Sequence, residues 1–225
     1  MLLLSVDSSA VTASAALTKD GGVIKSELIN QGLTHSETLL PLIQSVMGNY
    51  KYSELDAIAV TAGPGSFTGV RIGVATVKGL AFPNNTPCIS VSTLETIAYN
   101  FTDENAVICA VMDARRMQFY NALFKAENGR ITRLCEDRAI SLEDLRKDLM
   151  GFDKVIIAGD GAELCFNSIA LENAVLADEY RRYQNGTGVS KAADGKETVS
   201  AADLRPVYLR PSQAERELKL KKENK

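Results

Sequence analysis

Leu2–Val6 is a short continuous apolar run, Val11–Leu17 is rich in small and β-branched residues, and the turn residues Lys19-Asp20-Gly21-Gly22 lead into Val23–Ile29. Runs of this length bounded by turn residues predict three antiparallel strands joined by tight turns. The rhythm then changes to a helical one. Thr34 or Ser36 can cap a helix reaching about Met47, in which Leu39, Leu40, Leu42, Ile43, Val46 and Met47 form an arc wider than one sheet contact needs. Asp56–Thr61 reads as a fourth strand, reached by a helical crossover and so parallel to its neighbour. The glycine-rich turn Ala62–Gly69 opens into a helix over Val70–Phe82 whose polar interior residues are Arg71, Thr76 and Lys78. A helix apolar on nearly every side has to be covered on more than one of them. Gly69, Gly73, Thr76 and Leu80 lie in line on it, a stripe that suits internal packing or a subunit interface equally. Pro87–Val91 reads as a strand, and Ser92–Tyr99 as a helix capped by Ser92 or Thr93 with Glu95 at its positive end.

The pattern then starts again. Ala106–Met112 is apolar, Met117–Phe124 alternates, Asn128-Gly129 marks a hairpin turn and Ile131–Cys135 alternates once more. Ser141-Leu142-Glu143-Asp144 opens a helix, Val155–Ala158 makes a strand, and Gly159-Asp160-Gly161-Ala162 turns into a further helix. Two meanders, each followed by helices, predict a duplicated α/β unit with a division near Thr102–Asn105, giving subdomains 1–104 and 105–225. Gln184–Glu197 is polar and punctuated by glycine, which predicts a weak helix or a surface loop. The charged run Glu215–Lys225 reads as a solvated helix end.

Composition narrows the function classes. The 225 residues are 45% apolar and 24% charged, enough for a core without metal or disulfide. Lys and Arg total 25 against 28 Asp and Glu, a net charge of −3, so no broad basic face remains to grip nucleic acid unaided. Aromatic content of 6% with no Trp weakens any base-stacking platform. Cys88, Cys109, Cys135 and Cys165 are widely spaced with a single His in the chain, which argues against zinc. Free thiols in apolar segments suit a reducing cytoplasm. The apolar start has no basic residue before it and Asp7 soon after it, unlike a signal peptide, and is expected to be a buried strand of a cytosolic protein.

Three groups of residues carry candidate chemistry. Gly63, Pro64, Gly65, Ser66, Phe67, Thr68 and Gly69 form a turn before a helix, where backbone amides and the helix dipole can meet an anion. Walker A and dinucleotide spellings both fail there, Val70-Arg71-Ile72 standing where Gly-Lys-Ser/Thr is needed, and Pro64 excludes a nucleophile elbow. A structural turn is the competing account. Asp7 and Asp113 each end the first strand of a repeat, where paired carboxylates suit Mg²⁺ and phosphoryl transfer. Ser8-Ser9 and Ala114-Arg115-Arg116 follow them, however, and strand-end caps explain the same acids. His35 must carry any general-base chemistry alone, and nothing in sequence places a Ser or an Asp against it.

Taken together, several motifs resemble one family. They are Leu4–Ser9, the helix from His35 through Leu40-Pro41, Ala62–Gly73, Val91–Leu94, Met112–Arg116 with Tyr120, and Pro206–Arg210. The chain resembles the TsaB family, also called YeaZ, over most of its length, with Ala139 to about Ala202 carrying little of the likeness. The resemblance implies an α/β, actin-like ATPase (ASKHA, RNase H-like) fold of two repeated mixed-sheet subdomains flanked by helices, the last segment of the second packing back on the first. It also implies a role in making N6-threonylcarbamoyladenosine at position 37 of tRNA, pairing with the transferase TsaD, joined by the ATPase TsaE, and forming a homodimer when alone.

TsaD-like enzymes hold a metal through a His-x-x-x-His helix, and this sequence has Thr93 and Ile97 at the matching places. A Ser-Gly-Gly-His loop is replaced by Asp113-Ala114-Arg115-Arg116. The resemblance therefore implies a non-catalytic accessory subunit that holds no metal and no cofactor of its own, ATP and Mg²⁺ being used by the partner complex. In the family the helices beginning near His35 and Gly69 meet the partner, so Leu39, Leu42, Ile43, Val46, Val70, Gly73, Val74 and Val77 are expected in the interface or in the packing beneath it. Asp7, Gly63–Gly69, Arg71, Asp113 and Arg115 are the family-motif residues and the candidates for completing a nucleotide pocket. tRNA is expected to be reached only through the complex, with Arg115, Arg116, Arg181 and Arg182 as a local basic spot or ordinary salt-laced surface. No membrane contact is expected. Two alternatives are an ATP-dependent small-molecule kinase, which the missing glycines oppose, and a peptidase of the same fold, which needs a catalytic His35.

Overall fold

Three strands follow one another at the start of the chain: β1 (Leu2–Asp7), β2 (Ala13–Lys19) and β3 (Gly22–Ile29). They pair antiparallel, with Leu4 opposite Leu17 and Asp7 opposite Ser14. Helix α1 (His35–Met47) then crosses over, and β4 (Ala57–Gly63) pairs parallel to β1. Helix α2 (Phe67–Ala81) crosses again to β5 (Cys88–Ser92), which runs directly into α3 (Thr93–Ala98). The sheet order is β3-β2-β1-β4-β5 in this computed structural model, which describes residues 1–30, 34–115 and 117–210. Arg116 and the charged run from Glu215 lie outside the described residues.

The same order recurs. β6 (Ala106–Asp113), β7 (Gln118–Glu127) and β8 (Arg130–Arg133) form a meander, β9 (Arg138–Ser141) adds to β7, and α4 (Leu142–Leu149) leads to β10 (Val155–Ala158). Helix α5 (Ala162–Ile169) and β11 (Ala174–Leu176) complete a sheet of order β11-β10-β6-β7-β8. Two short helices, α6 (Glu179–Arg182) and α7 (Gly186–Ala193), follow.

Strand alternation places the cores. Leu2, Leu4 and Val6 of β1 pack under α1 and α2, while Leu3 points to the other face with Ala57, Ala59, Ile89 and Val91. That other face is covered by α7 through Val189, Ala192 and Ala193. The expectation of a weak helix or surface loop at 184–197 is thus corrected: α7 is a largely buried helix, capped by Asn185, whose Oδ1 accepts from Gly188 N at 2.8 Å. Gly186 and Gly188 read as loop punctuation in sequence but serve close packing. A Cβ on Gly188 would stand 2.4 Å from the Thr96 carbonyl oxygen. Helix α2 starts three residues earlier than the hydrophobic pattern indicates, because Ser66 Oγ accepts from Gly69 N at 3.3 Å and captures the first turn. Ser92 and Ser141 cap α3 and α4 in the same way, whereas Thr34 makes no side-chain bond at the start of α1.

Candidate functional site

The C-terminal ends of the two central strands face each other across a cleft of about 710 Å³. Its walls include Pro64–Thr68 at the start of α2, Met112–Arg115 after β6, Asp160 after β10, and Val207–Arg210. This last segment is a strap between the repeats. Val207 N donates to Ala62 O at 2.7 Å, and Arg210 Nη1 donates to Ala114 O at 3.0 Å in the second repeat. Between these anchors Tyr208 stacks on Phe67 with ring centroids 4.7 Å apart, Arg71 lies 3.7 Å over the Phe67 ring, and Arg71 Nε donates to Tyr208 Oη at 2.8 Å.

The strap explains the spelling of the glycine run. Gly63 sits at φ +125°, and a Cβ there would lie 2.3 Å from Val207 O. A Cβ on Gly65 would lie 2.3 Å from Ser9 O, and one on Gly69 only 2.1 Å from Ser8 O. Gly73 meets Ser8 Oγ in the same sense, so Gly69 and Gly73 face the β1–β2 turn rather than an open helix stripe. The polar groups of this joint are bonded internally: Ser66 N to Ser9 O at 2.7 Å, Ser8 Oγ to Gly69 O at 2.8 Å.

The acids divide by environment. Asp7 is buried; its Oδ1 accepts from Ser9 Oγ and Thr61 Oγ1, both at 2.6 Å, while Oδ2 is buried without a partner among the described residues. Burial raises its pKa, and the hydrogen bonds from Ser9 and Thr61 oppose the rise. Asp113 accepts from Arg115 N at 2.7 Å, an Asx-turn, with Arg115 Nη1 3.8 Å from its other oxygen. Asp160, which sequence reading treated only as a turn residue, has its Oδ1 buried and unpartnered. Burial, with Asp113 and Asp7 adding negative charge nearby, pushes it up to about 7. Its signal in sequence was its place between two glycines after β10, the counterpart of Pro64 after β4.

Three turn amides at the cleft are engaged within the chain: Ser66 N on Ser9 O, Ala114 N on Gln118 O and Arg115 N on Asp113 Oδ1. Among the described residues no group of three or more His, Cys, Asp or Glu is placed to hold a metal. Thr93 and Ile97 are buried, and Ile97 Cδ1 lies 3.2 Å from where a Gly159 Cβ would stand. His35 Nε2 donates to Ala10 O at 2.6 Å and its ring edge lies against Gly69, tying α1 to the β1–β2 turn. Ser8 and Ser9 bond elsewhere, and His35 Nδ1 is buried with no hydrogen-bond partner among the described residues.

All eight residues expected at or beneath an interface, Leu39, Leu42, Ile43, Val46, Val70, Gly73, Val74 and Val77, are buried within the chain itself. They are the packing layer between the helices and the first sheet. The same helices turn a second apolar surface outward, with Leu40 43% and Phe82 75% exposed beside Pro41, Ala75 and Gly79. Ile72, Thr76 and Leu80 are half-buried at its edge.

The family model described as TsaD, tRNA N6-adenosine threonylcarbamoyltransferase, matches residues 8–199. The chain belongs to this family. It is 29% identical over 221 residues to the tRNA threonylcarbamoyladenosine biosynthesis protein TsaB of Bacillus subtilis (strain 168), covering 96% of each chain. The protein of the same name from Escherichia coli (strain K12) is 36% identical over 135 residues, 57% of this chain and 58% of that one. The solved structure of YeaZ from Pseudomonas aeruginosa superposes with a TM-score of 0.79 at 26% identity, over 92% of this chain and 99% of that one. The TsaB/YeaZ resemblance and the actin-like fold read from sequence are both borne out, and the chain is a threonylcarbamoyladenosine biosynthesis protein.

Proposed function

We propose that this chain is the non-catalytic subunit of the complex that forms N6-threonylcarbamoyladenosine at position 37 of tRNA. It docks on TsaD through the outward face of α1 and α2, activates the transfer step, offers part of the surface that TsaE joins, and pairs with a second copy when TsaD is absent. ATP and Mg²⁺ act in the partner complex and not in this cleft. The supporting observation is the doubled apolarity of α1 and α2: their inner faces are already filled, yet Leu40, Ala75, Gly79 and Phe82 remain outward, small enough at two positions for a facing helix to approach closely. Engaged turn amides and the apolar filling at Ile97 support the absence of independent catalysis. Among the described residues no helix is long and apolar enough to cross a membrane, and the free cysteines accord with the cytoplasm. The test is threonylcarbamoyl transfer to unmodified tRNA by TsaD with and without this chain. Transfer that needs this chain, while this chain alone gives none, supports the reading; transfer by this chain alone overturns it.

A further inference from the structure

Three of the basic residues singled out in sequence lie against acids, while Arg116 lies outside the described residues. Arg181 pairs with Asp103 and Glu104, Arg182 approaches Glu163 at 3.7 Å, and Arg115 leans on Asp113. A different set is held by backbone carbonyls and aromatic rings. Lys78 Nζ donates to Ala202 O at 3.1 Å and to Leu204 O at 3.3 Å, and Arg205 Nη1 donates to the same two carbonyls, 3.1 Å from Leu204 O. Two cations are therefore held side by side on shared acceptors, and among the described residues no carboxylate pairs with either. Arg71 lies seven positions before Lys78 on α2, on the same side of the helix and about 10 Å along its axis. Its guanidinium is fixed by the Phe67 and Tyr208 rings, with only Nε hydrogen-bonded. Arg210 continues the line on the strap, bonded to a carbonyl.

We infer that Arg71, Lys78, Arg205 and Arg210 form a track for the sugar-phosphate backbone of tRNA in the assembled complex. The inference rests on the proposed function and names a contact that this chain itself contributes. In a protein of net charge −3, elsewhere laced with ion pairs such as Lys25–Glu27 and Arg138–Asp148, cations gathered without a paired carboxylate among the described residues create a local positive potential. Their holders are backbone carbonyls and aromatic faces, which orient the groups without cancelling their charge. Successive cations spread along a helix and strap suit a polymer of regularly spaced phosphates better than a single anion. The track runs along the flank of α2 beside its outward apolar face, so a partner seated on Ala75 and Gly79 leaves Lys78 and Arg205 at the rim, where a tRNA bridging both subunits would pass.

The experiment is a fluorescence-anisotropy titration of unmodified tRNA with the complex of the full chain and TsaD, at a series of salt concentrations. The variants are K78Q/R205Q, R71Q and the charge-keeping K78R/R205K. With complex formation confirmed by chromatography, K78Q/R205Q is expected to weaken binding roughly 10-fold and to flatten the salt dependence by up to about 2 in log–log slope, R71Q by about half as much, while K78R/R205K stays near wild type. Unchanged affinity and slope in intact complexes overturn the inference and leave the docking proposal standing. Loss of TsaD association in K78Q/R205Q, retained in K78R/R205K, overturns it in favour of an acidic protein surface as the occupant. Failure of the wild-type chain to associate with TsaD overturns the docking proposal, and the tRNA track with it.

Discussion

The two repeats share one topology and differ in what their crossover helices show to the outside. Strand order is the same in both, and both make the joint after the fourth strand in the same way: Gly63 at φ +125° meets Val207 O, and Gly159 at φ +116° meets Val111 O. The helices diverge. α1 and α2 have 13 and 15 residues, with Leu40 and Pro41 of α1 and Ala75 and Gly79 of α2 exposed; α4 and α5 have 8 each. The outward side of α4 is Glu143, Asp144, Arg146 and Lys147, with Lys147 paired to both acids. Once the inner face of a helix is filled, further apolar surface is a cost in water unless something covers it. Both repeats keep some of that cost, at Leu40 and Phe82 in the first and at Leu164 and Met150 in the second, and the first adds the small outward residues Ala75 and Gly79 on α2.

The largest way to break the comparison is at the shared joints. Gly69→Val and Gly161→Val each drive a Cβ into backbone, 2.1 Å from Ser8 O and 2.7 Å from Asp113 N, and each is expected to cost about 3 kcal/mol or more in urea unfolding. Next comes the difference between the helices. Leu40→Asp with Ala75→Arg should weaken TsaD association at least about 100-fold with stability within about 1 kcal/mol of wild type, whereas Leu164→Asp on exposed α5 should leave association unchanged. Titration calorimetry with paired thermal melts checks both arms.

The cleft acids sharpen the comparison by pH. Asp160 rises from its ordinary 3.8 to about 7 in the fold. Below the ordinary value both states hold the proton, so nothing is lost. As pH rises from there through about 7, the unfolded chain releases the proton while the folded one keeps it, so folding becomes less favourable, with the full cost present above about 7. Asp160→Asn should therefore raise stability by about 2 kcal/mol at pH 8 and by little at pH 4. The smallest effect is expected at the strap: Tyr208→Ala removes the ring stacked on Phe67 and the acceptor of Arg71 Nε, costing about 1 kcal/mol in chemical denaturation.

Much of the fold was legible because strand and turn chemistry are local. Gly21-Gly22, Asn128-Gly129 and the caps Ser92 and Ser141 mark their boundaries directly in the sequence, and the repeat follows from their recurrence. What was not legible depended on partners distant in sequence. α7 read as no more than a weak helix or surface loop because its glycines answer to Thr96 and Ala15, and the Gly63–Gly69 run read as a structural turn ahead of an anion site without the partners that require its glycines, Val207 and Ser8-Ser9. Periodicity named α1 and α2 as broadly apolar helices but has no means to say which arc the sheet takes; the sheet took Leu39 and Val77, leaving Leu40 and Ala75 outward. Asp160 had only its place between two glycines to mark it, since its burial and the nearby charges of Asp113 and Asp7 come from segments distant in sequence.

The most direct test of the central claim is size-exclusion chromatography with light scattering on this chain, on TsaD and on their mixture, read together with threonylcarbamoyl transfer to unmodified tRNA by each fraction. A discrete heterodimer that alone carries full transfer, lost together with transfer in Leu40→Asp/Ala75→Arg, is the result the account predicts. Two proteins that elute separately, with transfer by TsaD indifferent to this chain, would contradict it.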